Sequence, residues 1–223
     1  MIKIGLFVSI IGLFIACSQS GKSNNHPRQL PYLGNYEVIY GKNGEANDTV
    51  YPTIPSFKFL NQDSTEVTEK NYQGKIWIVE FFFTKCPTIC PIMNRQLDRL
   101  HKALTSEAHS KIQFLSFSID PQNDGPKTLK EYQKRTGIDY DNWDLLTGDE
   151  TFTHNLGIQH FLTFAGKEED AAGGYAHSGS FTLVDGKGYV RGVYAVTNPD
   201  LSVNEQEYLR MVNDVKLLTH ENP

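Results

Sequence analysis

Sulfur is scarce in this chain: 223 residues carry three cysteines and three methionines. Three cysteines exclude a disulfide-dense scaffold and leave at most one intramolecular pair. Excess positive charge is missing too, since 21 Lys and Arg against 26 Asp and Glu give a formal charge of −5 and a pI near 5.8. Such a surface has no general attraction for nucleic acid, and no nucleic-acid partner is expected. Also lacking is an apolar run long enough to cross a bilayer comfortably: residues 4–16 are apolar after a short basic head, which is the pattern of an export signal. No internal repeat is evident. The remaining composition, 39% hydrophobic and 21% charged, suits one compact domain with tails.

The signal, residues 1–16, ends in Phe14-Ile15-Ala16-Cys17-Ser18, which resembles a bacterial lipobox with Phe14 in place of the usual aliphatic residue. Cys17 is therefore expected to carry lipid, leaving one pair of cysteines in an envelope compartment where disulfides persist. Residues 17–29 are polar, rich in Ser and Asn, and read as a flexible tether. Residues 30–220 would form the domain, periplasm-facing, membrane-anchored through lipid and monomeric.

That domain is organised around Trp77-Ile78-Val79-Glu80-Phe81-Phe82-Phe83-Thr84-Lys85-Cys86-Pro87-Thr88-Ile89-Cys90-Pro91. The first part has the near-continuous apolar character of a strand buried on both faces of a parallel sheet. Met93, Leu97, Leu100 and Leu104 then recur at helical spacing, with Pro87 or Pro91 suited to the first turn. Both sulfurs fall at or beside a helix N-terminus, where unpaired N–H groups and the macrodipole favour thiolate. Three residues separate Cys86 and Cys90, so the sulfurs can sit one turn apart. That spacing suits a reversible disulfide, with Cys86 attacking and Cys90 resolving, or two thiolates on one soft metal ion. A peroxidase would want an activating arginine where the motif has Lys85.

Further elements follow in order. Residues 36–40 read as a strand, 41–48 as a polar loop, and 54–68 as a β-hairpin. Residues 112–119 form a second buried strand joined by a right-handed crossover. Asp120 to Pro126 is dense in turn formers, with Asp120 and Asp124 expected as turn and cap residues ahead of a helix ending at Gly137. Residues 143–148 form a short strand, 151–156 a brief helix, and 165–174 a mobile surface loop. Residues 177–184 and 189–194 flank a glycine-rich turn as an edge hairpin. A capping box at Ser202 and Glu205 opens a last helix whose buried face carries Tyr208, Val212, Val215 and Thr219. This is an α/β chain in thioredoxin-like order, with an N-terminal β-hairpin extension and an inserted loop before the C-terminal hairpin.

Of seven histidines, topology singles out His177, at the junction of that loop and the edge hairpin and facing the tip of the cysteine helix. Two thiolates and one imidazole suit copper. Four ordered blocks then resemble the Sco/SenC family of copper chaperones for cytochrome c oxidase: Phe82 to Pro91; Ser118-Ile119-Asp120-Pro121 with Asp124 and Pro126; Trp143 with Leu146-Thr147-Gly148; and His177-Ser178. The resemblance implies a thioredoxin-like fold, a copper ion on Cys86, Cys90 and His177, and its delivery to the dinuclear copper site of oxidase subunit two. It also implies, as the alternative, reduction of the client's copper-ligand cysteines by a thiol–disulfide oxidoreductase. Ala176 stands where relatives often place an acid before the histidine.

Overall fold

The computed structural model describes residues 29–220 except 139, 169 and 172. The export signal, Cys17 and nearly all of the tether lie outside the described residues. Among the described residues, no helix is long and apolar enough to cross a membrane.

The chain opens with β1 (Glu37–Tyr40) and β2 (Ala46–Val50), which pair antiparallel in a small separate sheet. The predicted loop at 41–48 is thus shorter than expected, because its polar second half is strand. Then come β3 (Lys58–Asn61), β4 (Glu66–Thr68), β5 (Ile76–Phe82), α1 (Cys90–Ala103), α2 (Ser106–Lys111), β6 (Ile112–Ser118), α3 (Pro126–Thr136) and β7 (Trp143–Thr147). The rest is α4 (Glu150–Asn155), a π-helical turn Leu156–His160, β8 (Ala165–Lys167), β9 (Tyr175–His177), β10 (Ser180–Val184), β11 (Val190–Ala195) and α5 (Glu205–His220).

Seven strands make the main sheet in the order β11-β10-β5-β6-β7-β3-β4. Its centre, β5-β6-β7, is parallel, and the hairpins β10-β11 and β3-β4 join antiparallel on either side. β5 and β6 are buried along their whole length, as strands covered on both faces must be.

Side-chain alternation along a strand divides the core into two layers. Ile76, Ile78 and Phe82 pack with Met93, Leu97 and Leu100 of α1, Leu129 and Tyr132 of α3, and Tyr208, Met211 and Val215 of α5. Trp77, Val79 and Phe81 pack oppositely with Phe57, Phe59, Phe117, Leu156 and Phe161. Phe81 stacks on Phe117 at 5.4 Å between centroids. Glu80 shares its parity with Ile78 and Phe82, so its carboxyl enters the helix-side layer, fully buried.

Three expectations at the C-terminal end are corrected. The predicted mobile loop at 165–174 is partly strand: β8 pairs with β9, and Ala165 is fully buried. An Ala-Gly-Lys strand has no hydrophobic alternation to announce it. The predicted strand from 177 to 184 is broken, since His177 ends β9 and the main-sheet strand begins at Ser180. The last helix is capped by Asn204, whose side chain accepts from the Glu207 N–H at 3.2 Å, while Ser202 donates instead to Asp200. Its buried face runs through Tyr208, Met211, Val215 and Leu218, with Val212 and Thr219 at the margin.

Candidate metal and thiol site

Strand β5 hands the chain to a tight loop before α1. The Cys86 N–H donates to the Phe83 carbonyl at 3.1 Å, and Ile119 N–H closes on the Phe82 carbonyl at 2.9 Å. Cys90 is the first residue of α1, Pro91 follows inside the first turn, and that turn has no acidic side chain to offset the helix's positive end. Cys86 is half-buried in the loop and Cys90 is buried.

The loop is held from below by Asp124. Its carboxylate accepts from the Thr84 N–H at 2.9 Å, from the Thr84 hydroxyl, and from the Ser118 hydroxyl at 2.7 Å. Burial lifts its pKa and the Thr84 and Ser118 donors pull it back. It does not cap α3, whose N-cap position is Gly125, so the capping role expected of it is corrected to a clamp on the cysteine loop. Asp120 does close its turn, through Asn123, and also accepts from the Tyr175 hydroxyl at 3.3 Å on the strand that carries His177. Replacing Asp124 with Ala strands three donors near the sulfurs. We expect about 2 kcal/mol lost in urea unfolding and faster amide exchange from Thr84 to Cys86; a change below about 0.5 kcal/mol, typical of a neutral surface site, would refute the clamp.

His177 is not on a mobile loop. It is buried at the end of β9, Ser178 N–H bonds the Phe164 carbonyl at 3.0 Å, and the hydroxyls of Thr163 and Ser178 are hydrogen-bonded. The next residue, Gly179, has no room for a side chain, since a Cβ there would meet Thr197 at 2.7 Å and Ile89 at 2.8 Å. Packed this way, the imidazole reaches both sulfurs: Nε2 lies 2.9 Å from Cys90 Sγ and 3.9 Å from Cys86 Sγ. Its Nδ1 has no partner among the described residues, so the ring's polar contacts are spent on the sulfurs alone.

The sulfur and nitrogen atoms of Cys86, Cys90 and His177 all lie within 4.8 Å of one another. A metal with bonds of ~2.3 Å to sulfur and ~2.0 Å to nitrogen would set its sulfur and nitrogen donors roughly 3.5–3.8 Å apart, so the trio would fit one ion once Cys90 Sγ and His177 Nε2, 2.9 Å apart here, moved apart by roughly 0.6 Å. The two sulfurs differ in acidity. Cys86 is lowered to about 3, first by a hydrogen bond from the Cys90 thiol, then by His177 and by the Cys90 and Thr88 N–H groups, against partial burial. Cys90 is pushed well above its ordinary value by burial and by its neighbour's negative charge.

Sequence reasoning passed over Glu80. Its Oε1 accepts from the Ser116 hydroxyl at 2.6 Å, Ser116 in turn accepts from Trp143 Nε1 at 2.9 Å, and Oε2 has no partner. A lone carboxylate inside an otherwise apolar strand was the available signal.

Comparison with known proteins agrees with this geometry. The SCO1/SenC family profile matches residues 45–209. A SCO1/SenC family lipoprotein from Bacillus anthracis superposes with TM-score 0.65 at 32% identity, covering 75% of this chain and 95% of that one. BsSco, described as a member of the Sco family of cytochrome c oxidase assembly proteins with a disulfide switch, gives TM-score 0.62 at 32% identity over 76% and 94%. Yeast Sco1 with copper bound gives 0.57 at 26% identity over 74% and 90%. The thioredoxin-like fold expected from the element order is therefore the observed one, and the chain belongs to the SCO1/SenC family.

Proposed function

We propose that this chain is a membrane-tethered metallochaperone that takes copper as cargo on Cys86, Cys90 and His177. Its client would be the dinuclear copper site of cytochrome c oxidase subunit two. The observation that carries this is the convergence of two thiols and an imidazole within 4.8 Å, a soft donor set suited to copper. The copper-bound state of yeast Sco1 and the oxidase-assembly description of BsSco support it. Attachment through a lipidated Cys17, after removal of residues 1–16, is supported by the lipoprotein from B. anthracis. This would place the domain in the cell envelope.

Copper would be released from the Cys86 side of the site. His177 is buried at the end of β9, whereas Cys86 is the more exposed donor. An incoming client thiolate would displace Cys86 first, leaving Cys90 and His177 to follow. Titrating reduced protein with Cu(I) against a competing chelator tests the assignment. One equivalent should bind, with both His177→Ala and Cys90→Ser weaker by more than the ~10-fold that loss of an outer-shell partner costs; equal retention by all three proteins would remove it.

The acidity split between the cysteines favours a second activity, reduction of the client's cysteines. The Cys86 thiolate attacks the client disulfide and expels one client sulfur as thiolate. Cys90 then gives up its proton, attacks Cys86 Sγ and releases the second client sulfur, so two electrons pass to the client and a Cys86–Cys90 disulfide remains.

A further inference from the structure

Beside Cys86, α1 and α3 enclose a cleft of about 320 Å³ whose walls include Asn94, Arg95, Asp98, Tyr132 and Arg135. Its charge is unusual for this chain. Of the five arginines among the described residues, Arg99 pairs with Glu205, Arg191 with Asp185 and Arg210 with Glu207. The two with no carboxylate partner, Arg95 and Arg135, line this one cleft. Arg135 touches only the Thr84 carbonyl at 3.5 Å and the Tyr132 ring.

Asp98 does not neutralise them. Its carboxylate is held by Lys102 at 2.7 Å and by the Tyr140 hydroxyl at 2.7 Å. A molecule with a formal charge of −5 thus presents two uncommitted guanidiniums next to Cys86, the more accessible sulfur of the pair. Guanidinium is the side chain that best matches a carboxylate, by a planar pair of N–H donors. Cys86 lines this cleft, so a client thiolate that exchanges a ligand or an electron pair with Cys86 would bring its sulfur to the cleft's mouth.

We propose that the cleft between α1 and α3 is the docking site for the partner polypeptide, and that it takes a segment bearing Asp or Glu next to the partner's cysteine. The inference rests on the proposed function, because it needs a partner that comes to Cys86. Complementary charge there would speed encounter and set the register in which the two sulfurs meet, more than it would add affinity. The cleft lies at the small end of binding-site volumes, so it holds one or two side chains while the rest of the segment stays outside.

The test uses the whole reduced protein and fluorescent ten-residue peptides with a central Ser in place of Cys, so that binding requires neither copper nor thiol exchange. One peptide carries Glu on both sides of the Ser, the other Lys. The Glu peptide should bind about tenfold tighter than the Lys peptide, and should weaken as salt rises from about 0.05 to 0.5 M. Arg95→Glu with Arg135→Glu should invert the preference, and the milder pair Arg95→Gln with Arg135→Gln should abolish it. Equal binding of both peptides to the wild type, or an unchanged preference in either double variant, overturns the docking site. Displacement of the Glu peptide by inorganic phosphate at matching affinity also overturns it, in favour of a general anion subsite. Copper stoichiometry measured on the same wild-type preparation is read separately, so loss of the chaperone assignment and loss of the docking site are distinct results.

Discussion

In reduced protein at pH 5, iodoacetamide is expected to modify Cys86 about tenfold faster than an ordinary thiol, at a rate nearly flat from pH 5 to 8. The cause is the depressed acidity of Cys86, held at about 3 chiefly by the Cys90 thiol and then by His177. An ordinary thiol of pKa ~8.5 is thiolate in only about one molecule in three thousand at pH 5, whereas Cys86 is almost wholly ionised. Nucleophilicity opposes this gain. With a Brønsted slope of ~0.45, a thiolate about 5.5 pKa units less basic reacts roughly three-hundredfold more slowly. Ionisation therefore wins at pH 5, the two rates cross near pH ~6, and at pH 8 Cys86 is more than tenfold slower than the reference. Cys90, buried and raised in pKa, should stay unmodified throughout. Mass spectrometry of the alkylated protein reads both sites. A Cys86 rate climbing tenfold per pH unit between 5 and 8 would show that the Cys90 and His177 contacts do not hold a thiolate.

The parts legible in the sequence were those fixed by local periodicity. The Met93, Leu97 and Leu100 stripe and the Cys-Pro start placed α1 and its sulfurs correctly, because helix burial and first-turn proline are decided within a few residues. His177 is 87 residues from Cys90, and no spacing rule spans that distance. It was reached only through the order of elements, and its setting on a packed strand was misjudged because Gly173, Gly174 and the polar residues before them hide a three-residue pairing. The Ser202 box failed for a related reason: Asn204 is an equally good cap and sits where α5 begins. Partnerships between distant side chains were not legible. Asp124 with Thr84, and Arg95 and Arg135 across one cleft, depend on how α3 lies against α1.

Glu80 carries the other large expected effect. Its carboxyl is fully buried, and burial lifts its pKa to about 7, with the Cys86 charge adding to the rise and the Ser116 hydrogen bond opposing it. The ordinary value is 4.5, so the folded state holds this proton more tightly than the unfolded chain. Below about pH 4.5 both states are protonated and the stabilisation is whole. Between about 4.5 and 7 the unfolded chain releases a proton that the native state keeps, and stability falls as pH rises. Above about 7 both states are ionised and the full penalty, about 3 kcal/mol at 1.36 kcal/mol per pKa unit, stands. Glu80→Gln cannot ionise and should lose this slope. Its new N–H donors enter a site where Glu80 Oε2 has no partner, at a cost of ~1–3 kcal/mol that does not change with pH. The decisive quantity is therefore the stability difference between variant and wild type, not either value alone. In urea unfolding of reduced protein, that difference should shift by about 3 kcal/mol in favour of Gln between pH 4.5 and 8. Parallel stability curves for the two proteins across that range would mean that the carboxyl beneath the cysteine helix ionises as freely in the fold as in the unfolded chain.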